Sequence, residues 1–191
     1  MVRVLPGTTI ELSEERWDEG PALLDSLFLA GGLTLGQVAQ LTGLEPHVIQ
    51  NWVKRGFLAP PKNRRYTQRQ FCRVALIHML RGCFQLDTVT GLLSYLNGSL
   101  ALESDDIIDD SQLYRCVLRL TLRAEREPLA SREQWDAWCR EALADYTGPY
   151  PGAAGRVAQG LRVILTAYAA ARLRERAEGL WRTLQEGSDL R

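Results

Sequence analysis

The chain has 191 residues, 46% of them hydrophobic and 24% charged, with 23 Lys and Arg balanced by 23 Asp and Glu. Such a composition can build a sizeable core and excludes a disordered chain. Cys72, Cys83, Cys116 and Cys139 are widely spaced with no C-x-x-C pair, which argues against structural zinc and against a disulfide-stapled secreted module.

Met1–Gly7 lacks an apolar signal core, and no stretch reaches the roughly 18 apolar residues of a membrane helix, so a cytoplasmic chain is expected. Pro21 suits the first turn of a helix over Ala22–Ala30, ending at Gly31-Gly32. Thr34 caps a short helix, Leu35–Thr42, that stops at Gly43. A second helix runs from near Pro46 to Arg55, with Gly56 as its stop. Val48, Ile49, Trp52 and Val53 fall on its inner side, and His47, Gln50, Asn51 and Lys54 share the outer side. Two short helices about a tight turn, the second with a polar face, make a helix-turn-helix pattern.

Phe57-Leu58-Ala59-Pro60-Pro61 cannot be helical, because the prolines remove backbone donors and bias their neighbours to extended conformations. The basic stretch Lys62-Asn63-Arg64-Arg65-Tyr66 follows, and Thr67 caps a return helix, Gln68–Cys83. Extended segment, basic turn, extended segment and helix describe a small wing. Helices are then expected over Leu86–Leu96, over Ile107–Arg126, after a Ser131/Gln134 capping box, and over Ala153–Gln185. The expected fold is all-α with a small β wing: a winged helix-turn-helix over about 20–97, then a helical module over 98–191.

The zero net charge is sharply partitioned. Residues 1–45 carry −5, residues 46–86 carry +8 with no acidic side chain, and residues 87–191 carry −3. A concentrated positive segment is the footprint of a polyanion binder. The competing reading is that its arginines pair with flanking acids such as Glu103, Asp105, Asp106, Asp109 and Asp110.

Thr34 through Leu44 resembles the opening helix and turn of the MerR family of winged helix-turn-helix transcription regulators. Ile49–Trp52 followed by Lys54-Arg55-Gly56-Phe57-Leu58 resembles that family's second helix and its exit into the wing. The longer run Asn51–Thr67 resembles a bacterial family of MerR-like proteins known only as a domain of unknown function. Pro60-Pro61 and a basic cluster stand where the MerR wing usually has a Gly-Tyr-Arg turn, and the metal-binding cysteines of some members are missing. The resemblance spans about residues 20–97 and implies DNA binding in a bacterial cytoplasm.

On that reading His47, Gln50, Asn51 and Lys54 face the major groove. Gln and Asn can bond bidentately to adenine edges, and Lys to guanine or phosphate. Lys62, Arg64, Arg65 and Tyr66 suit flanking phosphates or the minor groove. Thr34 and Gln37 suit phosphate at a helix start, and Arg55 and Asn63 complete the expected DNA-binding set. Trp52 is expected in the core. Arg69 and Arg73 either extend the cationic track or pair with acids.

No enzyme is expected: the chain shows no nucleophile elbow, Gly-rich phosphate loop or H-E-x-x-H. His78, inside the apolar run Val74–Leu80, reads as a packed core residue. No cofactor or metal is expected and no small-molecule ligand is assigned. The expected partners are double-stranded DNA and a second copy, through Leu161, Leu165, Ala169, Leu173, Ala177, Leu180 and Leu184 on the last helix. The competing reading packs that stripe on the helices of its own domain. A protein-interaction module whose basic face binds an acidic protein is the alternative function.

Overall fold

The computed structural model describes residues 1–98, 100 and 106–188. The chain opens with a short antiparallel ribbon, β1 (Val2–Val4) and β2 (Glu11–Ser13), with Arg3 opposite Leu12. Its connecting turn is pressed onto the helical body. Gly7 has φ +69°, and a Cβ there would lie 2.0 Å from the Ala75 carbonyl oxygen. The Tyr114 hydroxyl donates to the Pro6 carbonyl at 2.6 Å. A 3-10 turn over Glu14–Glu19 then buries Trp17, whose indole N–H donates to the Leu118 carbonyl at 2.8 Å.

Eight α-helices follow among the described residues: α1 (Gly20–Leu27), α2 (Leu35–Thr42), α3 (Pro46–Lys54), α4 (Gln68–Leu80), α5 (Leu86–Asn97), α6 (Asp110–Arg126), α7 (Arg132–Ala142) and α8 (Ala153–Ser188). Their starts are written in side chains. Thr34, Thr67 and Ser131 each form a reciprocal capping box, with Gln37, Gln70 and Gln134. The Asp109 carboxylate accepts from the backbone N–H groups of Ser111 and Gln112, at 2.7 and 3.1 Å, so α6 begins at Asp110 rather than Ile107.

One continuous apolar core runs through the molecule, from Leu5 and Leu24 through α4, α5 and α6 to the first half of α8. α4 is buried nearly throughout, because α2, α5, α6 and α8 all pack around it. Cys72, Cys116 and Cys139 lie inside this core as free thiols, while Cys83 is exposed. None of the described helices is long and apolar enough to cross a membrane.

The two-stranded sheet is therefore at the N-terminus and not at the expected wing. Three-residue strands are too short to give a readable alternation. The segment expected as a wing forms only two isolated bridges, Leu33 with Tyr66 and Lys62 with Arg65. α1 also ends earlier than expected, leaving Leu29 86% exposed.

Candidate functional site

α2 and α3 meet at a turn in which Gly43 has φ +69°, the left-handed conformation that lets a helix stop and the chain reverse. α3 is anchored by Ile49 and Trp52, both buried. That leaves His47, Gln50, Asn51 and Lys54 exposed on the opposite side, as their spacing predicts. α3 closes at Gly56, φ +75°, with the N–H groups of Phe57 and Leu58 donating to the Trp52 carbonyl.

The next segment is held from α4. The Gln70 side chain accepts from the Thr67 N–H at 2.9 Å and donates to the carbonyls of Ala59 and Pro60, both at 3.0 Å. One glutamine thus caps α4 and fixes the proline segment. Lys62–Arg65 is then a two-residue hairpin turn: Asn63 (φ 51°) and Arg64 (φ 61°) are both left-handed, and the Arg65 N–H donates to the Lys62 carbonyl at 2.9 Å. This is the geometry of a type I′ turn, whose twist matches that of paired strands. Asn tolerates it; Arg does so at a cost.

The tip is cationic. Lys62, Arg64 and Arg65 are exposed, as are Lys54, Arg55 and Arg81. Among the described residues, no carboxylate lies within ion-pair distance of Lys54, Lys62, Arg64, Arg65 or Arg81. Arg65 donates to the Gly32 carbonyl at 2.9 Å. Arg55 lies over the Phe57 ring at 4.5 Å, with Asp87 at 3.8 Å.

Tyr66 differs from the exposed members of the expected set. It is 3% exposed, pairs through its backbone with Leu33, and burial raises its phenol pKa. Its ring packs in the core because it stands one residue beyond the hairpin, where the pleat turns inward. Thr34 and Gln37 are exposed, but their side chains are engaged with each other in the capping box.

Arg69 and Arg73 do not extend the cationic track. Arg69 pairs with Asp106 at 2.6 Å, and Arg73, 2% exposed, pairs with Asp110 at 3.3 Å. Burial pushes the Asp110 carboxyl up, against the pull of Arg73 and Arg69. Glu103 and Asp105, also considered as partners, lie outside the described residues. His78 is half-buried at the edge of a cleft rather than packed in the core, with Nδ1 3.2 Å from the Gly7 carbonyl oxygen. Its pKa is lowered, chiefly by burial.

Sequence reasoning did not place Arg81 and Gln85 at this site. With His47, Asn51 and Arg55 they line a groove of about 490 Å³ beside α3. Neither sits in a motif. Only the turn between α4 and α5 brings them there.

Residues 31–117 match the model of a family described as a domain of unknown function, DUF1836. The match begins just before α2 and ends within α6, so it contains the whole cationic site. No curated protein and no solved structure matches the chain.

Proposed function

We propose that the chain is a sequence-specific DNA-binding transcription regulator of the bacterial cytoplasm, built on a MerR-like winged helix-turn-helix. α3 is the reading helix and the Lys62–Arg65 hairpin is the wing. The reading rests on one observation above all. Lys54, Lys62, Arg64 and Arg65 are exposed with no carboxylate paired to them among the described residues, although the chain as a whole has as many acids as bases. Unpaired surface cations grouped around a polar helix face suit a ligand that brings its own negative charge.

In this mechanism Lys62, Arg64, Arg65 and Arg55 neutralise phosphates and supply affinity. His47, Gln50, Asn51 and Lys54 meet base edges and supply preference. A single α3 reads a short site, so two copies bind two half-sites. No catalytic step is part of this function.

The test is fluorescence anisotropy on a labelled random duplex, at low and then moderate salt. Affinity is expected to fall steeply as salt rises, and the Arg64→Ala/Arg65→Ala variant is expected to bind all duplexes more weakly with a shallower salt slope. Asn51→Ala is expected to keep random-duplex affinity and lose about 1–3 kcal/mol of preference for a selected site. Absence of binding at low salt would overturn the reading in favour of an acidic protein partner.

A further inference from the structure

The N-terminal ribbon has an open edge. The Leu5 N–H donates to the Ile10 carbonyl at 2.9 Å, and the Glu14 N–H donates to the Met1 carbonyl at 2.8 Å. With Arg3 opposite Leu12, the backbone groups of Met1, Arg3 and Leu5 are therefore the ones turned towards β2. Those of Val2 and Val4 point the other way, and none of them makes a hydrogen bond among the described residues. The side chains alternate between the faces. Leu5 is fully buried, and Arg3 is taken by Glu14 and Glu125, whereas Val2 and Val4 are 63% and 47% exposed.

Natural edge strands are ordinarily blunted by an outward charge, a proline or a bulge. β1 has none of these: its one charged side chain, Arg3, is spent on ion pairs with the body. Its two exposed side chains are β-branched, which suits a cross-strand neighbour. Along β1 lies a cleft of about 690 Å³, bordered also by Met79 and Arg81 at the end of α4 and by Tyr168, Arg172 and Glu175 of α8. No residue of β2 borders it, which puts the cleft on the open side of β1. α8 forms its wall where the helix leaves the core. Leu161, Leu165 and Ala169 of the stripe expected from the sequence are buried, and from Leu173 onwards that stripe is exposed. The volume is that of a ligand site. With helices opposite the strand, the cleft admits a single added strand and obstructs the two-stranded ribbon of a second copy.

The charges in the cleft are unequal. Glu125 accepts from Arg3, from the Tyr168 hydroxyl and from Arg172, and Glu175 pairs with Arg172 at 2.5 Å. Arg81 has no carboxylate within ion-pair distance among the described residues, so three arginines face two glutamates. We propose that this cleft binds an extended segment of a partner protein, added antiparallel to β1 as a third strand, with an acidic side chain of that segment beside Arg81.

In this mode the backbone of Val2 and Val4 supplies affinity through both their N–H and both their C=O groups, and the side chains at the cleft supply preference. β-branched residues of the segment pack on Val2 and Val4, and Arg81 selects the acid. The inference stands apart from DNA binding. β1 and α8 both lie outside the family-matched residues 31–117, and the test contains no nucleic acid.

The experiment selects a phage-displayed library of random linear peptides on the immobilised full chain. The enriched peptides are expected to be rich in valine, isoleucine and threonine and to share an aspartate or glutamate. Binding of a labelled enriched peptide, read by fluorescence anisotropy, is expected to weaken about tenfold on Val4→Pro, which deletes an outward N–H without touching a ribbon bond. Val4→Thr keeps that N–H and is expected to bind as the wild type does. Arg81→Glu is expected to weaken binding, and exchanging the peptide's acid for lysine to restore it. Amide exchange of the wild type needs no variant to fold: the peptide is expected to slow the Val4 amide and leave that of Leu5, already bonded to Ile10, unchanged. Absence of any enriched peptide, binding indifferent to Val4→Pro, or a Val4 amide that the peptide does not slow would each overturn the proposal. So would a Val4 amide protected without peptide as protein concentration rises, which would assign the edge to a second copy.

Discussion

Arg73 and Asp110 form an ion pair in the centre of the molecule, 2% and 1% exposed, joining α4 to the first turn of α6. The Arg73 guanidinium also donates to the Phe57 carbonyl at 2.9 Å, just after α3. One buried side chain therefore ties the exit of the proposed reading helix to the helical half of the chain. Both residues lie within the family-matched segment 31–117, where the pair fastens α6 to α4.

Breaking such a pair from one side leaves a buried charge uncompensated, whereas replacing both members with apolar groups removes the problem. Arg73→Met and Asp110→Leu are each expected to cost about 3–5 kcal/mol. The double variant is expected to be more stable than either single one. A double-mutant cycle by urea unfolding checks this; additive losses would mean the two side chains act independently.

Gly7 occupies a left-handed turn pressed on the Ala75 carbonyl, so any side chain must displace α4 backbone. Gly7→Ala is expected to lower stability by on the order of 3 kcal/mol, read as a fall in melting temperature. The ribbon of β1 and β2 should loosen first, with faster amide exchange at Leu5 and Thr8.

At Arg64 the backbone and the charge are opposed. Arg64→Gly relieves a left-handed arginine and is expected to stabilise the fold by about 1 kcal/mol. The same change removes one cation of the proposed wing, so on the DNA-binding reading duplex affinity falls and the salt slope shrinks by roughly one ion. Higher melting temperature with weaker binding is the expected combination.

His78 gives a pH dependence with a definite sign. Burial lowers its pKa below the ordinary 6.5, against the opposing hydrogen bond to the Gly7 carbonyl, so between the two values the unfolded chain binds more protons. Stability is then expected to fall as pH is lowered through 6.5 towards the folded value, and to be restored above 6.5. Unfolding curves at a series of pH values, compared with those of His78→Gln, test this. The variant should show a flatter profile over that window.

The helices were largely legible in the sequence, because their signals are local. Thr34, Thr67 and Ser131 mark helix starts, Gly43 and Gly56 mark stops, and α2 has the expected bounds, Leu35–Thr42. The outer face of α3 was readable for the same reason, since helical spacing alone separates Gln50 and Asn51 from Ile49 and Trp52.

What only the tertiary structure decided are matters of which distant groups meet. Of eight cations in one acid-free stretch, Arg69 and Arg73 are taken up by Asp106 and Asp110, each 37 residues further on, and Arg81 is brought beside α3. Tyr66 is drawn into the core by its pairing with Leu33, although the two residues before it are exposed cations. Along α8, 3.6-residue periodicity accommodates more than one apolar stripe, and packing against α6 and α7 selects which is buried. Charge and periodicity are properties of a segment; burial and pairing belong to the folded chain.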